Sequence, residues 1–214
     1  MNPTTIGVDL AKNVFELALA DREGHLVGRR RLSRRQFERF LAGQTSCHLI
    51  MEACATAHYW ARAAQAQGHQ VTLLPAQYVR AFVYRNKTDR SDAEALIDAG
   101  RSGRIRPVPV KTVAQQELIA LHRVRDQWLA TRTARINALR GLLREHGVGL
   151  PQGARRAVAA VPGVLEDADA PLPAQLRDVA AQLVAEVRDL EARVLSIERT
   201  LATVAAENVV VQRL

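Results

Sequence analysis

The sequence has little cysteine, almost no lysine and no long apolar run, and each scarcity excludes a class of protein. Its two cysteines, Cys47 and Cys54, fall around one predicted strand end. A bridge between them is geometrically awkward there, so they read as reduced core thiols, and a disulfide framework is excluded. No Cys/His spacing resembles a zinc site. No apolar run approaches the roughly 18 residues of a membrane span, and the N-terminus has no signal-peptide apolar stretch. A cytoplasmic location and no membrane partner are expected. Gly-x-Ser-x-Gly, P-loop and dinucleotide fingerprints are missing, and Ser91, between two acids, has no base to make it a nucleophile.

What is present is an apolar fraction of 48% in 214 residues, enough for one substantial domain and an appendage. Residues 1–107 hold 16 Lys/Arg against 10 Asp/Glu, 108–150 hold 7 against 3, and 151–214 hold 7 against 9. Polyanion binding therefore belongs to the first 150 residues. The basic residues are overwhelmingly arginine, which suits bidentate phosphate contacts, although a GC-rich genome produces the same bias.

Apolar alternation predicts strands at 4–9, 13–20 and 25–32, with Asp21-Arg22-Glu23-Gly24 as the turn between the last two. Ser33 is the expected N-cap of a helix to about Leu41. A buried strand at 47–52, a helix from about Thr56 to Gln67 ended by Gly68, and a strand at 71–74 closed by Pro75 follow. A meander followed by two helix–strand units gives an α/β mixed sheet whose later strands run parallel to the first. A helix is predicted over 89–101, a long one from Val113 to His146, a loop rich in Ala, Pro and Asp after Pro151, and a last helix over 173–207. In that last helix Leu176, Leu183, Leu190, Ile197 and Val204 recur every seventh residue, with Ala180, Val187, Val194 and Leu201 each four further on. This pattern points to a helical hairpin or coiled coil and leaves open an intramolecular pair or a dimer seam.

The chemistry lies in acids. Asp9 ends the first strand, and Glu52 ends a strand that pairs beside it, so both carboxylates reach the carboxyl edge of the sheet, where open α/β sheets bind ligands. Asp89 and Asp92, three apart, share a helix face. Four clustered carboxylates suit divalent ions, Mg2+ or Mn2+, for phosphodiester chemistry. Read singly, a strand-end Asp is often a turn residue, and Asp89 is equally a helix N-cap. Lys12 follows the first strand, and Arg85, Lys87 and Arg90 rim the acidic pair, either as phosphate contacts or as a solvated charge run. Arg29, Arg30 and Arg31, with Arg34 and Arg35, form a second basic cluster for DNA or RNA. His58 either approaches the acidic edge or packs, and Trp128 reads as an interhelical packing residue.

Gly7-Val8-Asp9-Leu10-Ala11-Lys12, then Met51-Glu52-Ala53-Cys54 with Ala57-His58-Tyr59-Trp60-Ala61-Arg62, then Asn86-Lys87-Thr88-Asp89-Arg90-Ser91-Asp92-Ala93 resemble the DEDD transposases related to the Piv invertase. The likeness runs through Arg140-Gly141-Leu142-Leu143-Arg144-Glu145-His146-Gly147. The resemblance implies a RuvC-like, ribonuclease-H-fold domain over 1–110, with Asp9, Glu52, Asp89 and Asp92 as its metal-binding, catalytic tetrad. It further implies a helical region over 111–214 for assembly as a dimer or tetramer and for nucleic-acid contact, and DNA, a guide RNA and a second copy as partners. A later domain with a serine nucleophile completes the site in such proteins. This chain stops at Leu214, so complete strand exchange by it alone is not expected.

The expected function is that of an insertion-sequence transposase. A rival reading is a non-catalytic, oligomerising nucleic-acid binder. An ATPase of the actin-like branch of the fold is disfavoured because no second Asp-Gly phosphate loop appears downstream.

Overall fold

A computed structural model describes residues 4–82 and 89–207, the side chains of 89–91 and 207 excepted, and the chain divides into two compact units, Met1–Thr112 and Val113–Leu214.

In the first unit, β1 (Thr5–Leu10), β2 (Val14–Ala20) and β3 (Leu26–Ser33) form an antiparallel meander, while β4 (His48–Glu52) and β5 (Gln70–Leu74) run parallel to β1. The sheet order is β3-β2-β1-β4-β5. This is the expected α/β, ribonuclease-H-like mixed sheet with flanking helices. Helix α1 (Arg34–Ala42) starts where Ser33 predicts, in a reciprocal capping box with Gln36. Helix α2 (Ala57–Ala66) follows β4, short helix α3 (Ala76–Val79) follows β5, and α4 (Asp89–Arg101) closes the unit.

The sheet's two faces carry side chains of different size. Ile6, Val8, Phe15, Leu17, Leu49 and Met51 point to one face and are buried against Phe37, Leu41 and Trp60 of α1 and α2. Phe15, Phe37 and Trp60 meet edge to face with each ring centroid 5.2 Å from the next. On the other face Gly7, Ala18 and Ala20 leave room for α4, whose Ala93 and Ile97 pack on that small-residue floor. A Cβ on Gly7 would collide with the Ala93 carbonyl oxygen, and one on Gly100 would lie 2.5 Å from Ile50 Cδ1. Glycine at these two positions sets how closely the helix approaches the sheet.

In the second unit α5 (Val113–Glu145) and α7 (Ala174–Glu207) pair antiparallel: Arg125, Arg132 and Arg135 meet Glu198, Glu191 and Glu186, partners descending as the arginines ascend. Ala180, Val187, Leu190, Val194 and Ile197 of the heptad pattern are buried, and Leu176, Leu183, Leu201 and Val204 half-buried. The pairing is thus within the chain.

The expectation of a loop after Pro151 is corrected: residues Ala154–Glu166 form helix α6, with Pro162 inside it. An interior proline costs a helix about 3 kcal/mol. Burying Val158 and Val161 with Ala157 against α5 and α7 returns about 1.5–3 kcal/mol for each valine, so packing outweighs the break. Arg177 of α7 then gathers the loose end, donating to the carbonyls of Val164 (3.3 Å), Leu165 (2.9 Å), Ala170 (2.9 Å) and Leu172 (3.0 Å). Between α6 and α7, residues 167–173 remain a loop.

Two outcomes follow. Gly7→Ala should destabilise the first unit by about 1–3 kcal/mol in chemical denaturation, the usual cost of overpacking, because a backbone oxygen cannot swing aside. An unchanged midpoint would mean that α4 is free to slide. Arg177→Ala should cost roughly 1–3 kcal/mol by leaving four carbonyls without their donor, read as a lower denaturation midpoint and faster exchange of amides in α6.

Candidate active site

Parallel pairing of β1 with β4 sets Val8 opposite Met51. The next residue on each strand, Asp9 and Glu52, therefore leaves the sheet at the same carboxyl edge and on the face that α4 covers. Helix α4 brings Asp92 to the same place, and a cleft of about 330 Å³ opens between them, lined also by Gln77, Val79, Arg80 and Leu96. The Oδ1 atom of Asp92 is buried with no hydrogen-bond partner. Among the described residues the other such buried atoms are Thr4 Oγ1 and Trp60 Nε1, so Asp92 carries the one orphaned carboxylate oxygen. A carboxylate in that state costs several kcal/mol unless something positive meets it, and an oxygen-only donor set suits a hard divalent cation. The residues present therefore fit Mg2+ or Mn2+.

Asp89 belongs to the first turn of α4, but its side chain lies outside the described residues, as do those of Arg85, Lys87 and Arg90. Three of the four expected acids are therefore brought to one cleft. Lys12 is exposed just past β1. Arg30 is exposed on β3, while its neighbours are engaged: Arg29 Nε bonds Glu94 at 2.6 Å, and Arg31 pairs with Glu16 at 3.2 Å. Glu16 stands opposite Asp9 in the β1–β2 register.

Sequence reasoning missed Gln77 and Arg80. They sit just after β5, on α3 and the turn beyond it, where no periodicity marks them. The signal that identified Asp9 and Glu52, residues following the carboxyl end of a parallel strand, applies equally to these two. A guanidinium beside three carboxylates suits the bidentate holding of a phosphate.

Two other clusters are structural. His58 is buried outside the cleft, where Nδ1 accepts the Lys111 backbone N–H at 3.2 Å and Nε2 lies 2.9 Å from Lys111 Nζ. Burial lowers its pKa, and the positive charges of Lys111 and Arg62 lower it further, so the imidazole packs in its neutral form. Among the described residues only Asp21, Glu23 and His25 bring ligand atoms all within 4.8 Å of one another; the cleft acids line their walls without that spacing. Asp21 Oδ1 already accepts the backbone N–H groups of Glu23 and His25 at 2.9 Å each, closing the β2–β3 turn. Of the cysteines, Cys47 is buried and Cys54 half-buried, both unpaired, and burial pushes the Cys47 thiol up to about 11, which leaves it unreactive. Among the described residues no helix is long and apolar enough to cross a membrane.

A family model described as Transposase, of the DEDD type found in IS110 elements, matches residues 6–147. The chain is 43% identical over 161 residues to a Probable family 20 transposase of Pseudomonas aeruginosa, covering 75% of this chain and 48% of that protein. It is 40% identical over 163 residues to the Transposase for insertion sequence element IS1328 of Yersinia enterocolitica, covering 75% of this chain and 49% of that protein. Against the Transposase for insertion sequence element IS1111A of Coxiella burnetii it is 39% identical over 160 residues, covering 75% of this chain and 44% of that protein. The chain spans about half the length of the curated relatives it matches.

Manganese or magnesium titrated into the chain should raise its melting temperature, by an amount corresponding to roughly 2.7 kcal/mol when the ion is a hundredfold above its dissociation constant. Asp92→Asn should abolish that shift while folding normally. An equal shift in both proteins would remove Asp92 from the metal site.

Proposed function

Because the chain belongs to the DEDD transposase family of IS110-type insertion sequences, we propose that its first unit is the metal-dependent phosphodiester-cleaving part of a DNA transposase. The observation that carries this reading is the convergence of Asp9, Glu52 and Asp92 on one cleft, with an Asp92 oxygen buried and unpartnered. Asp9 and Glu52 supply oxygens from the rigid sheet edge, Asp92 from the helix packed against it, and Asp89 joins them as a fourth ligand. When bound, the divalent ions activate a nucleophilic oxygen and stabilise the leaving one. Arg80 and Gln77 hold the scissile phosphate against the acids, and Lys12 and Arg30 contact the strand beyond it, a role that the sequence also assigns to Arg85, Lys87 and Arg90.

DNA is the substrate, and a guide RNA and a second copy of the chain are the further partners. Assembly as a dimer or tetramer falls to the helices after Val113, whose outer faces leave Val124, Val179 and Leu195 exposed at 41%, 42% and 49%. The deciding experiment incubates the full chain with branched or element-end DNA, with and without co-purifying RNA, in magnesium or manganese. Since a later serine-bearing domain completes the cleaving site in the family resembled, the expected result is metal-stimulated binding of that DNA by the wild type, lost in Asp9→Ala and Asp92→Asn. Equal, metal-independent binding by all three proteins would instead establish a non-catalytic nucleic-acid binder.

A further inference from the structure

The arginines of the long helix divide into two sets. Arg125, Arg132 and Arg135 are each committed to a glutamate of α7. Arg140 and Arg144, one turn apart near the C-terminal end of α5, have no acidic partner among the described residues, and between residues 140 and 156 four arginines face a single glutamate. Among the described residues no ion pair of the second unit uses these charges.

Both arginines line a cleft of about 400 Å³, closed by the connection to α6 through Gly149, Gln152 and Gly153. Gly153 is the N-cap of α6, with φ 89° and no side chain to accept a hydrogen bond, and the first turn contains no acid. Among the described residues no N-cap side chain therefore accepts from the backbone N–H groups that begin α6. Arg156 folds back over the rim, its Nε 3.7 Å from where a Gly153 Cβ would stand. Two guanidinium forks without an acidic partner among the described residues, a third beside Gly153 and a helix start with no side-chain cap form an anion receptor built from side chains and backbone.

We propose that this cleft grips backbone phosphates of a nucleic-acid strand, an assignment that rests on nucleic acid being the partner of the chain. Spacing favours a strand over a small anion. Four residues of helix rise about 6 Å, so Arg140 and Arg144 present two separate forks that suit two neighbouring phosphates of one strand, where one inorganic ion occupies one fork.

The test measures binding of the full chain to a labelled DNA duplex and to a labelled RNA hairpin across a salt series, in chelator, so that the carboxylate cleft contributes no metal bridge. Arg140→Gln with Arg144→Gln should weaken binding about ten- to a hundredfold and lower the slope of log affinity against log salt by about 2. Arg188→Gln, on α7, should leave both nearly unchanged. Loss confined to DNA, or confined to RNA, supports the cleft and names the strand it holds; loss with both assigns it to the backbone they share. Wild-type binding that the double variant reproduces, slope included, overturns the cleft while leaving the family reading intact, and no binding by the wild type overturns both. Inorganic phosphate that stabilises only the wild type, with nucleic-acid binding unaffected by the substitutions, makes this a small-anion site and also overturns the proposal. If the double variant melts early, the exposed Arg144→Gln alone reports through a slope change of about 1.

Discussion

The first unit depends on one close approach, that of helix α4 to the floor of the sheet. Gly7, Ala18 and Ala20 keep that floor low, and Gly100 keeps the helix slim where it crosses Ile50. Only then does Asp92 come level with acids that the strands have already fixed. The sheet is asymmetric for this reason: aromatic and branched residues fill the face under α1 and α2, while the face under α4 carries the smallest side chains available. Packing and chemistry share the same atoms, since the contact that buries Ala93 also positions the carboxylate beside it.

Most of the first unit was legible in the sequence because its signals are local. Alternation marks β1 and β2, Ser33 with Gln36 marks the start of α1, and the pairing of β4 beside β1 follows from chain connectivity, which brings Asp9 and Glu52 together without any long-range information. Arg80 and Gln77 were hidden because they follow a strand on too short a helix to show a period. The engagement of Arg29 by Glu94 was hidden because it joins residues 65 apart through a helix-on-sheet contact. Helix α6 was missed for the opposite reason: Pro162 is a strong local signal for a break, and only the tertiary burial of its neighbours overrides it.

Arginine serves three purposes in the second unit, and the surroundings of each one decide which. Opposite the glutamates of α7 it fixes the register of two helices whose heptads alone would tolerate sliding. As Arg177, beneath the end of α6, it replaces the backbone donors that a proline-bearing helix and an irregular loop fail to supply. Beside Gly153 it meets no acid among the described residues, which leaves its charge free for the proposed phosphate contact. Composition treats all of these as basic residues; only the positions of the glutamates separate them.

The unbroken length of α5 has a geometric consequence. At about 1.5 Å per residue, its 33 residues make a strut of about 50 Å, cross-braced between Arg125 and Arg135 by three ion pairs to α7. Inserting or deleting a residue within it would therefore change both the separation of its two ends, by about 1.5 Å, and their relative rotation, by about 100°.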